Sequence, residues 1–145
     1  MNTQLHKVLS TRAGFGLTVL RIPVGIIFVA HGAQKLFGLF GGHGLAGTAQ
    51  WMESIGLAPG TLMAAMSGGA EFFGGLALII GLLVRPAAVA LAATLLVAIF
   101  AVHINNGLFM ANNGYEFALA LLGGTIAVLF EGAGKLSVDA AITQP

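Results

Sequence analysis

Four long apolar stretches divide the chain, and each is about as long as a helix that crosses a lipid bilayer. They cover residues 14–36, 61–84, 86–104 and 114–130. A bilayer core about 30 Å thick requires roughly 20 predominantly apolar helical residues. Arg21 and Pro23 interrupt the first stretch, which favours a retained span over a cleaved secretory signal. The pattern predicts an all-α integral membrane protein, with one domain over residues 1–145.

The connections between the stretches predict how the four spans are arranged. Arg85 alone separates the second span from the third, so these two form an antiparallel hairpin with Pro86 in the first turn of the third. A polar stretch rich in Asn and Gly, residues 105–114, joins the third span to the fourth. Short connections of this kind predict a four-helix up-down-up-down bundle.

The first loop, residues 37–60, is the longest polar segment and contains a candidate short helix. Trp51, Met52 and Ile55 lie close to one face at helical spacing, and the Thr48 side chain can cap the helix. Tryptophan is enriched at headgroup depth in membrane proteins. We therefore expect a short interfacial helix on the outer leaflet.

Composition excludes several classes of protein. The chain is 57% hydrophobic and only 8% charged, whereas a soluble domain carries about 25% charged residues. Its net charge of +1 provides no basic face, so we expect no nucleic-acid partner, and the bilayer is the expected surrounding. With no cysteine, the chain itself has no disulfide, thiolate metal site or thiol catalysis.

Basic residues in the loops predict the orientation. Lys7, Arg12, Arg85 and Lys135 fall on one side of the predicted topology, and only Lys35 falls on the other. Because cytoplasmic loops carry an excess of Lys and Arg, both termini are expected in the cytoplasm. In a bacterial inner membrane, the first and third loops then face the periplasm.

Six ionisable side chains lie within the predicted spans or at their ends. They are Arg21, His31 and Lys35 in the first span, Glu71 in the second, His103 at the end of the third and Glu116 at the start of the fourth. A charge at the bilayer centre costs about 2.5–3.5 kcal/mol on insertion scales, so such groups face the interior and pair. The alternative is pure scaffolding, in which the pairs only fix helix register.

By depth, these six groups are predicted to form one graded line of charges that starts at the outer surface and reaches past the bilayer midplane to Arg21. Counted from the outer ends at about 1.5 Å per residue, His31 lies about 7 Å, Glu71 about 15 Å and Arg21 about 22 Å into the bilayer. We predict a buried ion pair between Arg21 and Glu71. The other four, His31, Lys35, His103 and Glu116, are predicted to form a polar pocket open to the outer face.

Small residues lie near several of these charges and predict close helix packing. They are Gly25 and Gly32 in the first span, Ala64, Gly68, Gly74 and Gly75 in the second, and Gly123 in the fourth. Met52, Met63, Met66 and Met110 are expected to pack against lipid or helices.

The histidines and glutamates do not have the spacing of a known metal site. Neither Glu71 nor Glu116 has a histidine three residues later, as the di-iron bundles require, so no metal site is predicted. A haem or single-metal site held by His31 and His103 is the less favoured alternative.

The ordered set of motifs resembles DoxX-type membrane proteins from about Gly16 to Ala140. The resemblance is carried by Leu20–Arg21, Phe28–Gly32 with Lys35–Leu36, Glu71 with Gly74 and Gly75, Gly81–Leu82 with Arg85, Ala98–His103 with Asn106–Gly107, Gly114–Glu116, and the tail Gly132–Asp139. Ala133 stands where the family often has proline. The resemblance implies a four-span bacterial inner-membrane protein and, more loosely, redox work, since the family takes its name from a subunit of a thiosulfate:quinone oxidoreductase.

We therefore expect a redox-associated membrane subunit whose outer pocket binds a quinone or a similar small molecule. In this hypothesis His31 and His103 hydrogen-bond the ligand, and Lys35 and Glu116 orient it. Such an oxidoreductase subunit has no thiol or flavin site of its own, so its electrons come from a redox-protein partner or a bound cofactor. Two alternatives stay open: transport of protons or a small solute, which needs a homo-oligomer or a partner, and a non-catalytic scaffold that recruits a partner through the Trp51 loop.

Overall fold

The computed structural model describes residues 2–11 and 14–144. Arg12, one of the residues used above to predict orientation, lies outside this set. Every regular element in the described residues is helical, and none is a strand. The seven α-helices are α1 (Thr3–Leu9), α2 (Phe15–Phe37), α3 (Gly44–Ser54), α4 (Gly60–Ile80), α5 (Val84–Ala98), α6 (Glu116–Glu131) and α7 (Val138–Thr143).

Three of these helices are long and apolar enough to cross a membrane. They are α2, α4, and α5 together with the helical turns that extend it to Asn106. The extension consists of a π-helical turn, Ile99–His103, and a 3-10 turn, Ile104–Asn106. The fourth predicted span corresponds to α6, which has only 16 residues.

The boundary between α4 and α5 differs from the predicted one. Helix α4 ends at Ile80, four residues before the predicted end of the second span, because Gly81 and Leu83 both have positive φ angles (73° and 52°) that a right-handed helix does not contain. Helix α5 then begins at Val84. Pro86 lies in its first turn, where no backbone N–H donor is needed, as the sequence predicts.

Glycines bring α2 and α4 into close contact. A Cβ atom on Gly25 would lie 2.7 Å from the carbonyl oxygen of Gly75, and one on Gly32 would lie 2.7 Å from the Cα atom of Phe72. The predicted close packing at these glycines is confirmed. Gly123 is the exception, since a Cβ atom there would meet nothing within 4 Å.

The remaining contacts place α6 between α2 and α5. Helix α5 packs against α4 and α6, and α6 also contacts α2, so these four helices enclose one apolar core. The core is built mainly from large aliphatic side chains and one phenylalanine: Val24, Phe28, Leu78, Leu91, Leu95, Leu121 and Val128.

Helix α3 packs against α4 and also contacts α2. It buries Ala49 and Met52 against Ala64 of α4, while Trp51 stays 44% exposed. It starts at Gly44, four residues before the predicted cap. Thr48 does not cap it, because its hydroxyl donates to the carbonyl oxygen of Lys35 at 3.4 Å instead.

Helices α1 and α7 lie against each other at the opposite end from α3, which we call the terminal end. Arg21 is fully buried there and donates to the carbonyl oxygens of Leu78, Ile79, Ala133 and Leu136. A cation is favourable at the last carbonyls of a helix, where the helix dipole is negative. Arg21 therefore joins the end of α4 to the tail that follows α6.

Two further charged residues complete the terminal end. Arg85 donates to the carbonyl oxygens of Leu129 and Phe130 at the end of α6. The Asp139 carboxylate is fully buried and accepts hydrogen bonds from the backbone N–H groups of Leu83 and Val84, where α5 begins. Burial raises the pKa of Asp139, and these two hydrogen bonds together with the nearby arginines only partly oppose the rise.

Candidate functional site

A cavity of about 580 Å³ lies on the α3 side of the core, between α2, α3, α4, α5 and α6. Most of its lining is apolar and includes Phe28, Met52, Leu57, Met63, Met66, Leu95, Val102, Phe117 and Leu121. Met66 of α4 and Val97 of α5 line the cavity and are also exposed, so it is open on the side between these two helices. Its size is typical of a small-molecule site.

Polar side chains from five segments reach this cavity. They are His31 and Lys35 of α2, Ser67 and Glu71 of α4, Thr94 of α5 and His103 of the π-helical turn, together with Asn113 of the loop before α6. A few polar groups on mainly apolar walls are the usual means by which a pocket orients its ligand.

Lys35 and Glu71 form an ion pair on the cavity wall. The Lys35 Nζ atom lies 2.5 Å from Glu71 Oε1, and the two side chains are 25% and 11% exposed. The antiparallel packing of α2 and α4 brings these residues level, because Gly32 lies against Phe72 one turn away. The other carboxylate oxygen, Glu71 Oε2, is buried and has no hydrogen-bond donor within reach among the described residues.

His103 owes its position to the π-helical turn that ends α5. Its Nδ1 atom lies 2.8 Å from the carbonyl oxygen of Asn113, which can only accept a hydrogen bond. Nδ1 must therefore carry the proton, so the neutral imidazole has Nε2 as an acceptor. The Asn106 side chain donates to the same carbonyl at 3.0 Å, which fixes this loop against the turn. Such π-helical turns occur frequently at functional sites.

His31 lines the same cavity but is exposed. Its imidazole ring lies 6.4 Å from the Phe117 ring of α6, with an angle of 42° between the ring planes. The separation falls within the range of about 4.5–7 Å for interacting aromatic rings. Because His31 both lines the cavity and is exposed, its imidazole can form hydrogen bonds either with a ligand in the cavity or with its surroundings.

Comparison with known proteins places the chain in a family. The family model described as DoxX matches residues 16–104, which is more than half of the chain. The chain belongs to the DoxX family. Its three long apolar helices agree with membrane insertion.

Two relatives of this DoxX-family protein cover most of both chains. A Bacillus subtilis (strain 168) protein named "Putative oxidoreductase CatD" is 34% identical over 86% of this chain and 84% of its own length. An Escherichia coli (strain K12) protein named "Inner membrane protein YqjF" is 32% identical over 89% of this chain and 93% of its own. No solved structure matches the chain at a significant level.

Three of the four residues predicted to form the pocket, His31, Lys35 and His103, line the cavity. Glu116 does not. Its carboxylate accepts a hydrogen bond from the backbone N–H of Met110 at 2.9 Å and so holds the loop before α6. The roles of these residues toward a ligand stay predictions.

The structure does not bring Arg21 and Glu71 together as predicted. Arg21 lies level with Leu78 and Ile79, whose carbonyl oxygens it binds, and Glu71 is seven residues earlier on α4, about 11 Å along its axis. Counting depth from the loop ends of each span misjudges this register. Glu71 is level with Lys35 instead, and the predicted graded line of charges is replaced by two separate polar clusters.

The sequence prediction also missed apolar residues of the cavity, among them Met52, Met63 and Met66, which line it rather than only packing against lipid or helices. A signal for them exists. Met63 and Ser67 precede Glu71 by eight and four residues, which is the spacing of one helix face. Following each polar residue along its own face would have extended the predicted pocket. Within residues 2–11 and 14–144, no three His, Asp or Glu side chains form a group that could hold a metal ion.

Proposed function

We propose that α2, α4, α5 and α6 form a four-helix up-down-up-down bundle that crosses a bacterial inner membrane. Contacts among these helices support this proposal, as does the apolar sequence of α6 between Glu116 and Glu131, which spans about 24 Å at 1.5 Å per residue. The name of the Escherichia coli relative supports the location.

The proposed orientation has both termini in the cytoplasm and α3 as an interfacial helix on the outer leaflet. Lys7, Arg85 and Lys135 belong to the terminal end, whereas Lys35 lies near α3. The excess of basic residues at the terminal end supports a cytoplasmic location for it. The half-exposed Trp51 of α3 then lies at headgroup depth, and the cavity faces the outer half of the bilayer.

Within this topology, the cavity binds a quinone or a similar small molecule from the lipid, as part of a redox-associated assembly. The observation that carries this proposal is the joint presence of apolar walls and one polar cluster, Lys35, Glu71, His31 and His103. These residues fit the ligand class, because an apolar ring can lie against the thioether and aromatic side chains while its oxygens meet the polar cluster. The printed name of the Bacillus subtilis relative agrees with redox work.

A partner must exchange the electrons that such a ligand gains or loses. The chain has no cysteine, so thiol redox chemistry belongs to another protein. The residues of the cavity would bind and orient the ligand, and the histidines could hold protons at its oxygens. A redox-protein partner or a bound cofactor can complete such an assembly, whereas a second copy of the chain brings no thiol.

The single tryptophan provides a direct binding assay, because Trp51 lines the cavity. We expect decylubiquinone to quench Trp51 fluorescence saturably in protein reconstituted into nanodiscs. Ala98→Phe, which fills the cavity, should weaken the quenching at least tenfold, whereas Ala120→Phe on the exposed side of α6 should not. Equal quenching in both variants, or none in the wild type, would contradict the proposal. Mass spectrometry of the lipid extract then identifies any native ligand.

A further inference from the structure

We infer that the cavity selects ligands that bear a phenolic hydroxyl group, so that the hydroquinone form binds in preference to the quinone. The group that makes the selection is the carboxylate of Glu71. This inference rests on the proposed function and deepens it, since it names the hydrogen-bonding chemistry and the redox form of the ligand.

Glu71 presents a buried acceptor that the described residues leave without a donor. The residue is only 8% exposed, and its Oε1 atom is paired with the Lys35 ammonium, while Oε2 has no partner. An ionised carboxylate can only accept hydrogen bonds. Leaving such an acceptor unsatisfied costs more than an ordinary hydrogen bond contributes, so a ligand that supplies an O–H donor gains by satisfying it.

A quinone cannot make this interaction. Its two oxygens are carbonyl acceptors, and an acceptor placed against a buried carboxylate is repelled. A hydroquinone or a phenol has the same apolar ring but carries O–H donors. The identity of the unsatisfied atom therefore discriminates between two ligands of nearly equal shape.

His103 adds a second acceptor to the lining of the cavity. Its Nδ1–H group donates to the Asn113 carbonyl, so the neutral ring has only the Nε2 lone pair available for a ligand. The side chains that could donate to a quinone carbonyl are all less buried than Glu71: Lys35 is 25% exposed, His31 and Asn113 are exposed, and Ser67 is half-buried. The half-buried Thr94 already donates its hydroxyl to the Leu91 carbonyl oxygen. The more buried polar group is an acceptor, and it favours a donor ligand.

The first test compares two redox-inert ligands that differ by one hydrogen-bond donor. We expect 4-hexylphenol to change Trp51 fluorescence, excited at 295 nm, with an affinity about 10- to 100-fold higher than that of its methyl ether, 4-hexylanisole. This ratio corresponds to one hydrogen bond to a charged acceptor. Under anaerobic conditions, the hydroquinone form of decylubiquinone should likewise bind with higher affinity than decylubiquinone itself.

The second test assigns the preference to Glu71. In Glu71→Gln we expect the phenol-to-ether affinity ratio to fall below threefold, because the amide can donate as well as accept. The matched control is Glu131→Gln, at the exposed end of α6, which should keep the wild-type ratio. If Glu71→Gln does not fold, Glu71→Asp takes its place: the shorter side chain withdraws the carboxylate from the ligand, so the phenol-to-ether ratio should again fall, and an unchanged ratio would overturn the assignment.

The outcomes separate this inference from the proposed function. If quinone, phenol and ether all bind the wild type equally, the proposed site stands and the hydroxyl preference is wrong. If the preference persists in Glu71→Gln, the selecting acceptor is another group and the inference is overturned. If none of the ligands binds, the proposed function fails together with the inference.

Discussion

Gly32 provides a sharp test of the packing between α2 and α4. A Cβ atom at this position would lie 2.7 Å from the Cα atom of Phe72 and 2.8 Å from its Cβ atom, and it would also meet the Phe72 backbone nitrogen. Carbon atoms pack at about 3.5–4.0 Å, so the helices would have to separate by roughly 1 Å. Because the obstacle is backbone, no rotamer change can relieve it.

We expect Gly32→Ala to lower the free energy of unfolding by about 1–3 kcal/mol, which is the usual cost of overpacking a close-packed contact. Gly69→Ala is the matched control, because a Cβ atom at Gly69 of α4 meets nothing within 4 Å. Alanine is the better helix former by about 1 kcal/mol, so this control should be neutral or stabilising.

Thermal unfolding in detergent, followed by circular dichroism at 222 nm, measures the difference between the two variants. Separation of the helices should also disturb the Lys35–Glu71 pair, since Lys35 lies one turn from Gly32 and Glu71 adjoins Phe72. Ligand quenching of Trp51 should therefore weaken in Gly32→Ala but not in Gly69→Ala. If Gly32→Ala unfolds at the same temperature as Gly69→Ala or higher, the close contact does not exist as described.

Three further predictions concern the charged groups outside the cavity. Arg21→Lys should lower the free energy of unfolding by several kcal/mol, because an ammonium cannot reproduce the guanidinium fork that binds four carbonyl oxygens. The yield of monodisperse protein on size exclusion should fall as well, and wild-type stability would contradict this prediction. Burial raises the pKa of Asp139 above its ordinary 3.8, so the folded protein binds this proton more tightly than the unfolded chain does. The contribution of Asp139 to the free energy of unfolding is therefore lost as the pH rises from about 3.8 through the raised pKa. Asp139→Asn should remove that part of the pH dependence in unfolding measured between pH 4 and 7, and an unchanged slope would refute it. Glu116→Gln keeps an acceptor for the Met110 N–H group, so it should change the free energy of unfolding by less than about 1 kcal/mol and leave Trp51 quenching by the ligand unchanged. A loss of quenching would show that Glu116 takes part in ligand binding after all.

The sequence predicted the helical class and the close contacts of α2 and α4 because these depend on local properties. Hydropathy over about 20 residues marks a helix that can span a membrane, and glycine beside a polar residue marks a close approach. The ion-pair partners depend instead on how far α2 and α4 are offset along their axes, which is not a local property of either sequence. Helix α4 begins beside α3 and reaches beyond the end of α2, so that Glu71 lies level with Lys35 rather than near Arg21.

The α5 extension shows a second limit of prediction from the sequence. A regular helix of 3.6 residues per turn is the assumption behind any count of depth or angle along a span. The π-helical turn at Ile99–His103 changes that period just before His103, and residues 99–103 contain neither Pro nor Gly that would signal the change. The sequence alone therefore could not predict that the His103 side chain is directed toward the Asn113 carbonyl oxygen.

The terminal end links α2 to a segment that lies far away along the chain. Arg21 is reached early in translation, but two of its carbonyl partners, those of Ala133 and Leu136, are added more than 100 residues later. Until then its guanidinium must be held by lipid headgroups, water or the insertion machinery, since an unpaired charge in the bilayer is costly. The final packing around Arg21 therefore waits for the segment after α6, and a chain that stops before Gly132 keeps only the Leu78 and Ile79 carbonyls as partners for this guanidinium.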